Sequence, residues 1–261
     1  MIATVISKSD EASVCIGREL ISLKEWEELD NNIYLSGDRL LCFIDDMHLY
    51  RDNIDKKLKE YGNIEAVVFA SRHSSESGRR TLSVHPIGNF GEAKFGGKSR
   101  ELVISAPLLM RSALKTLQEK AKGMDYEVCY EVTHHGPHLS TPAFFIETGS
   151  TEREWNDREA CRAIAETIME MEREGGMKTD IRVGIGVGGG HYAPRFTDIA
   201  LHKNVAFGHM IPDYHLPAID EEMIKKAIEA TPDAKYAYFH GKKSRKFKKI
   251  FEDMGMECIL K

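Results

Sequence analysis

Apolar residues in this chain gather into short runs, separated by longer stretches with helical spacing. "IATVIS" (2–7) has strand length, and a helical stretch follows near residues 10–20. "LLCFID" (40–45) and "AVVFAS" (66–71) are further strand-like runs. Between them "DNIDKKLKEYG" is helically spaced and closes on a glycine. "APLLMRSALKTLQEKAKG" (106–123) is the clearest helix. Pro107 suits its first turn, Leu108, Leu109, Leu114 and Leu117 make an apolar face, and Gly123 suits the position after the last turn. Strand-like runs recur at "YEVCYEV" (126–132), "AFFIET" (143–148), "IRVGIGV" (181–187), "NVAFGHM" (204–210) and "KYAYFH" (235–240). Thr151 and Glu154 predict a capping box for a long helix that Gly175 and Gly176 end. Two more helices are predicted, at about 220–230 and, strongly basic, at about 242–254. Strands alternating with helices predict a three-layer α/β/α fold with a mixed, mostly parallel sheet. With no repeat or obvious linker, residues 1–261 read as one domain or two closely fused lobes.

Composition narrows the function classes. The net charge of -5 gives no global attraction to polyanions, so any nucleic-acid contact must come from local basic patches. "MIATVISKSD" is too short and polar for a signal peptide, and no apolar run reaches the roughly 18 residues of a membrane span. The five cysteines are scattered, without a C-x-x-C pair, which points to a reduced, cytoplasmic protein.

Histidine is the anomaly. There are eleven, and many lie at predicted strand ends or in the loops that follow. His73 follows "AVVFAS", His85 ends "TLSV", and His134, His135 and His138 follow "YEVCYEV". His191 follows "VGIGVGGG", and His209 and His215 come after "NVAFG". Open α/β sheets bind ligands beyond the carboxyl ends of their strands, so these imidazoles are expected to meet at one rim. Neutral imidazoles converging with few cysteines suit zinc. The candidate ligands are His73, His135, His138 and His191, with a bend at Gly136 and Pro137 bringing His135 and His138 to one side. Metal-free acid–base catalysis is the alternative; His134, His135 and His191 are the catalytic candidates, and Asp198 is the residue expected to orient a histidine.

"VGIGVGGGHYAPRFTD" (183–198) lacks both the dinucleotide fingerprint and a G-K-[ST] phosphate loop. Pro194 argues against a following helix. Gly188, Gly189 and Gly190 therefore read as room for a ligand beside His191, and Arg195 reads either as a phosphate contact or as a salt-bridge partner of Asp198. "SRHSSESGRRTLSVHPIGNFGEA" (71–93) reads as a polar loop whose Arg72, Arg79 and Arg80 supply positive charge. Lys242, Lys243, Arg245, Lys246, Lys248 and Lys249 form either a solvated helix face or an RNA-backbone contact.

Four of these motifs together resemble the archaeal and plant type of D-aminoacyl-tRNA deacylase: "ASRHSSESGRRTLSVHPIGN", "THHGP", "STPAFFIETGSTEREW" and "GIGVGGGHYAPRFTD". The resemblance implies hydrolysis of the ester joining a D-amino acid to tRNA and a zinc requirement. It also implies an α/β fold related to phosphorylase/hydrolase and peptidyl-tRNA hydrolase folds. The residues fit such chemistry: imidazoles for an activated water, glycine-rich backbone for an oxyanion, arginines and a basic tail for tRNA. Gly136, Pro137 and the three glycines are candidates for the wall that rejects the L isomer. The expected assembly is a monomer or small homo-oligomer away from membranes. Another metal-dependent peptide or amide hydrolase of this fold, and a non-catalytic tRNA-binding module, are the competing readings.

Overall fold

A computed structural model describes residues 1–172 and 180–260. The chain runs β1 (Ile2–Ser7), α1 (Glu11–Leu23), β2 (Glu27–Asp30), β3 (Ile33–Ser36), β4 (Arg39–Ile44), α2 (Ile54–Leu58), β5 (Ala66–Arg72), β6 (Thr81–Pro86), α3 (Pro107–Lys120), β7 (Glu127–Tyr130) and β8 (Ala143–Gly149). It continues through α4 (Glu152–Trp155), α5 (Arg158–Glu170), β9 (Arg182–Val187), α6 (Pro194–His202), β10 (Val205–Ile211), α7 (Glu221–Glu229), β11 (Tyr236–Phe239), α8 (Lys248–Asp253) and β12 (Glu257–Leu260).

Most strand pairings are parallel, as the alternating pattern predicts, but the strands divide into two sheets. The larger has the order β2-β3-β4-β1-β5-β8-β6-β7, and the smaller, β10-β9-β11-β12, is wholly parallel. In the larger sheet β6 runs antiparallel to β8 and parallel to β7. The first strand pair at the far edge, β2 with β3, is also antiparallel.

Period-2 alternation sorts the side chains of the larger sheet. Val68, Ala70, Leu82, Val84, Val128, Tyr130, Phe144 and Ile146 face one side. There they pack against α1, α3 and α5 through Ile16, Leu20, Leu109, Leu114, Ile164 and Ile168. Phe196 of α6, Phe207 and Met210 of β10 and Tyr238 of β11 belong to the same apolar cluster, so both sheets share it. The opposite side holds a second cluster with Val67, Phe69, Ile87, Leu139 and Phe145, covered by Ile54 and Leu58 of α2.

Local signals explain several boundaries. Asp10 caps α1 by accepting from the backbone N–H of Ser13, and Asp157 caps α5. Thr151 and Glu154 make the predicted capping box, but it opens only the short α4. A new helix, α5, starts at Arg158 and ends at Glu170, and Gly175 and Gly176 lie outside the described residues. Three expectations need correction. "PRFTDIALH" is a helix, because a proline at the first helical position removes a donor that would be unpaired anyway. The 71–93 stretch is not one loop, since β6 occupies Thr81–Pro86, every residue of it buried. Likewise the basic segment is a 3-10 turn (Ser244–Phe247) followed by α8 rather than one helix.

Candidate active site

The side of the larger sheet opposite the shared core carries its polar residues. Alternation puts Thr81, Ser83 and His85 of β6 on that face, with Glu147 of β8. The registers pair Glu147 with Ser71 on one side and with Ser83 on the other. Glu131 follows β7 in the same phase as Cys129, and its N–H donates to the carbonyl of Val84, one residue before His85. His73 follows β5, its N–H donating to Thr148 O. His191 arrives from the smaller sheet, and its carbonyl accepts from Val132 N–H at 2.9 Å. The donors thus come from strands of both directions and from both sheets. The single carboxyl rim expected from the sequence is replaced by a seam between the sheets.

Two glutamates organise the imidazoles. Glu131 Oε1 is 3.2 Å from His73 Nδ1, and its Oε2 is 2.9 Å from His191 Nε2 and 3.6 Å from His134 Nε2. Glu147 lies 3.6 Å from His73 Nδ1 and 3.6 Å from His85 Nε2. Both glutamates are buried. Second partners fix the ring orientations. His134 Nδ1 is 2.7 Å from Val132 O, and His135 Nδ1 is 2.8 Å from Gly136 O, so each Nδ1 carries the proton and each Nε2 presents a lone pair. His73 Nε2 is 3.1 Å from the Tyr192 hydroxyl, over whose ring Arg79 sits at 4.4 Å.

The electrostatics follow from burial against pairing. Burial alone would raise both carboxyls, but the surrounding imidazoles overcome it: Glu131 is held well below the usual range and Glu147 at about 2. Burial would likewise keep His73 neutral, yet the two carboxylates lift it to about 11, and His85 is raised by Glu147. Burial and neighbouring imidazoles push His134 well down, and His135 to about 4. Two buried carboxylates therefore demand positive charge, which protons on His73 and His85 or a bound cation can supply. A cation fits the donor set. Glu131 Oε1 and Oε2 and His85 Nε2 are buried without a well-directed hydrogen bond. Three overlapping groups also hold ligand atoms within 4.8 Å of one another: His73, Glu131 and His191; His85, His134 and His135; and His85, Glu131 and Glu147.

Other expected site residues are spread around this cluster. The bend in "THHGPH" exists, but it lies at His135, whose φ of 43° is left-handed, and it unites His134 with His135 at a ring separation of 4.3 Å. His138 belongs to none of the donor groups; its N–H is bonded to Asp52. Asp198 orients no cluster histidine, because α6 turns it toward His202, 3.0 Å away on the surface. Arg195 lines a groove of about 600 Å³ along α6 with Lys203 and Tyr238. Arg80 is held by Asp125, Glu154 and Asp157, while Arg72 lies over Trp155, whose indole N–H donates to His73 O. Gly136 packs against another backbone: a Cβ there would come 2.1 Å from Gly97 N, and Pro137 beside it is buried. Lys242, Lys243, Arg245, Lys246 and Lys249 are exposed, and Lys248 pairs with Glu252.

The glycine triplet divides. Gly188 and Gly189 have φ of 95° and 92°, and a Cβ on Gly188 would lie 2.1 Å from the His240 carbonyl. Both serve the turn and its packing on the loop after β11. Gly190, next to His191, is exposed, and a Cβ there would meet nothing within 4 Å.

Comparison with known proteins is consistent along the whole chain. A family model described as D-aminoacyl-tRNA deacylase matches residues 60–259. The D-aminoacyl-tRNA deacylase of Thermococcus onnurineus is 39% identical, covering 97% of each chain. That of Archaeoglobus fulgidus is 40% identical over 89% of this chain and 84% of its own. A crystal structure of a conserved protein of unknown function, AF0625, superposes with a TM-score of 0.92 at 37% identity, covering 100% of this chain and 95% of that one.

Proposed function

Because the chain belongs to the D-aminoacyl-tRNA deacylase family, we propose that it hydrolyses the ester between a D-amino acid and tRNA with water activated at a zinc site built by the histidine–glutamate cluster. The observation that carries this reading is the pair of buried glutamates ringed by imidazoles, with both Glu131 oxygens lacking a well-directed hydrogen bond among the described residues. His73, Glu131 and His191 on one side, and His85, His134 and His135 on the other, are the residues that would hold zinc, with Glu147 between His73 and His85. Zinc held by these residues would make a water more acidic and polarise the ester carbonyl.

The protein's own groups do the rest. Glu131 and Glu147 fix the rings and supply the negative charge that retains a cation. The backbone carbonyls of Val132 and Gly136 select the tautomers of His134 and His135. Tyr192 and Arg79 stand at the outer edge of His73, where a polar substrate group enters. An ester is already activated, so no nucleophilic serine or cysteine is required. Exposed Lys242 and Lys243 follow His240, which faces Gly189, and offer the phosphate backbone a contact beside the site. Gly190 is the one glycine of the triplet free to approach a substrate stereocentre.

The test is release of free amino acid from matched D- and L-aminoacyl-tRNA. Rapid release from the D form with the L form spared supports the proposal. Equal release from both, or from neither with zinc bound, refutes it.

A further inference from the structure

Among the described residues few large apolar side chains stand in solvent, and three of them border the histidine–glutamate site. Tyr50 and Phe95 are each 62% exposed and Tyr214 is 55% exposed. All three lie on or against the loop that follows β6. Phe95 is in that loop, and its carbonyl accepts from the N–H of Gly136, the residue after His135, at 3.0 Å. The next residue, Gly96, is pressed onto the turn that carries Tyr50: a Cβ there would lie 1.8 Å from Leu49 O and 3.4 Å from the Tyr50 ring. On the other flank, the Tyr214 ring is 4.9 Å from that of His215, which in turn is 5.8 Å from Phe90 in the same loop. Asp213, just before Tyr214, exchanges hydrogen bonds with Gly189, two residues from His191. The aromatics thus form an arc from the His135 side of the site to the His191 side.

Aromatic rings left in water carry the unfavourable hydration of their apolar faces with no packing return, so three on one arc call for an occupant. Their neighbours indicate its charge. Lys94 and Lys98 lie close to Phe95 in the chain, are exposed, and make no ion pair among the described residues, while Arg51, which follows Tyr50, pairs with Asp46 at 3.2 Å. Aromatic rings interleaved with exposed cations, the two lysines among them unpaired, on a chain of net charge -5, match single-stranded nucleic acid: bases stack on the rings and phosphates meet the cations. A folded duplex offers no free base faces, and an acidic peptide would leave the rings unstacked.

Resting on the proposed function, we infer that Tyr50, Phe95 and Tyr214 are a stacking platform for the unpaired nucleotides at the 3′ end of the tRNA, holding the terminal ribose over the histidine–glutamate cluster. Recognition by stacking tolerates any base. Stereochemical selection is then left to the groups around the ester.

The experiment measures binding, not turnover, so it does not depend on catalysis. Affinity of the full chain is measured for uncharged tRNA and for the same tRNA with its unpaired 3′ nucleotides removed. The wild type should bind the intact tRNA about tenfold or more tighter. Phe95→Ala, Tyr50→Ala and Tyr214→Ala should each erase part of that difference while binding truncated tRNA like the wild type. Phe95→Leu, which keeps apolar bulk without a ring face, should behave as Phe95→Ala, and Phe95→Trp should retain affinity. The salt slope should stay unchanged in the aromatic variants and shrink in Lys94→Glu. No preference for intact tRNA in the wild type, or a preference untouched by all three alanine variants, overturns the platform. A wild type that shows the preference yet releases no D-amino acid from charged tRNA would instead refute the catalytic reading and leave the platform standing.

Discussion

Glu131 and Glu147 set what the histidines can do. Five imidazoles can offer lone pairs to a cation when neutral, and the two carboxylates add the negative charge that would retain it. The histidines were legible in the sequence from their number and strand-end placement. The glutamates were not, because acidic residues are common here and the composition hides two special ones. The available signal was their phase: each sits at an inward position of an apolar strand-like run, "YEVCYEV" and "AFFIET". The geometry also reverses a choice made from the sequence, which names His138 and not His85 among the candidate ligands. His85→Ala should lower bound zinc and deacylation by at least about a hundredfold, whereas His138→Ala should leave both near wild type. Metal analysis and rates on both variants check this, and equal losses would contradict the assigned donor set. A second residue-level outcome concerns His48. It is fully buried between Phe69 and Phe145, neither ring nitrogen has a hydrogen-bond partner among the described residues, and burial holds it down at about 4. The unfolded chain takes that proton near pH 6.5 and the folded chain only near 4, so the contribution is complete above about 6.5 and is lost as pH falls toward 4. His48→Leu should flatten the acid decline in urea-unfolding midpoints over that window. A decline as steep as in the wild type would show that His48 is not its source.

Elements were most legible where apolar periodicity was strong, as in β1, β5, β8, α1, α3 and α7. They were hidden where function or exposure broke the pattern. β6 reads as a loop because its inward face is Thr81, Ser83 and His85, polar residues that line the site. β2 is an exposed edge strand of four polar or exposed residues, with too little alternation to register. α6 was obscured by Pro194, which opens the helix instead of breaking it. That helix matters for the site, since it carries Asp198 outward and seats Phe196 in the shared core. The turn before it gives the next test. Gly188 needs a positive φ and has no room for a Cβ, so Gly188→Ala should lower the melting temperature by several degrees or more. Gly190→Ala should melt close to wild type, because its Cβ meets open space, and should slow release of the D-amino acid if a substrate stands there. Circular dichroism melts of both variants decide the first point. A Gly188→Ala protein as stable as wild type would remove the packing role assigned to the turn.

At the scale of the molecule, the site is a seam. β5, β6, β7 and β8 of the larger sheet bring His73, His85, Glu131, His134, His135 and Glu147, and the smaller sheet brings His191. Thr133 N–H bonded to Met210 O, and Val132 N–H bonded to His191 O, tie the two sheets together beside the donors. The sequence made an α/β fold with alternating helices readable, but not the division into two sheets, because pairing partners of distant strands leave no local trace. Assembly of the cluster therefore depends on the sheets being docked, and a cation bound there would stabilise the docked state by mass action. Among the described residues no helix is long and apolar enough to cross a membrane. The most direct test of the central claim is a zinc titration of metal-stripped protein, following D-amino acid release from charged tRNA and zinc bound per chain in the same samples. The stripped protein should be inactive, and activity should return in proportion to bound zinc. Full turnover in protein shown by elemental analysis to be free of metal would contradict the claim and leave the glutamates and histidines as a proton-transfer network.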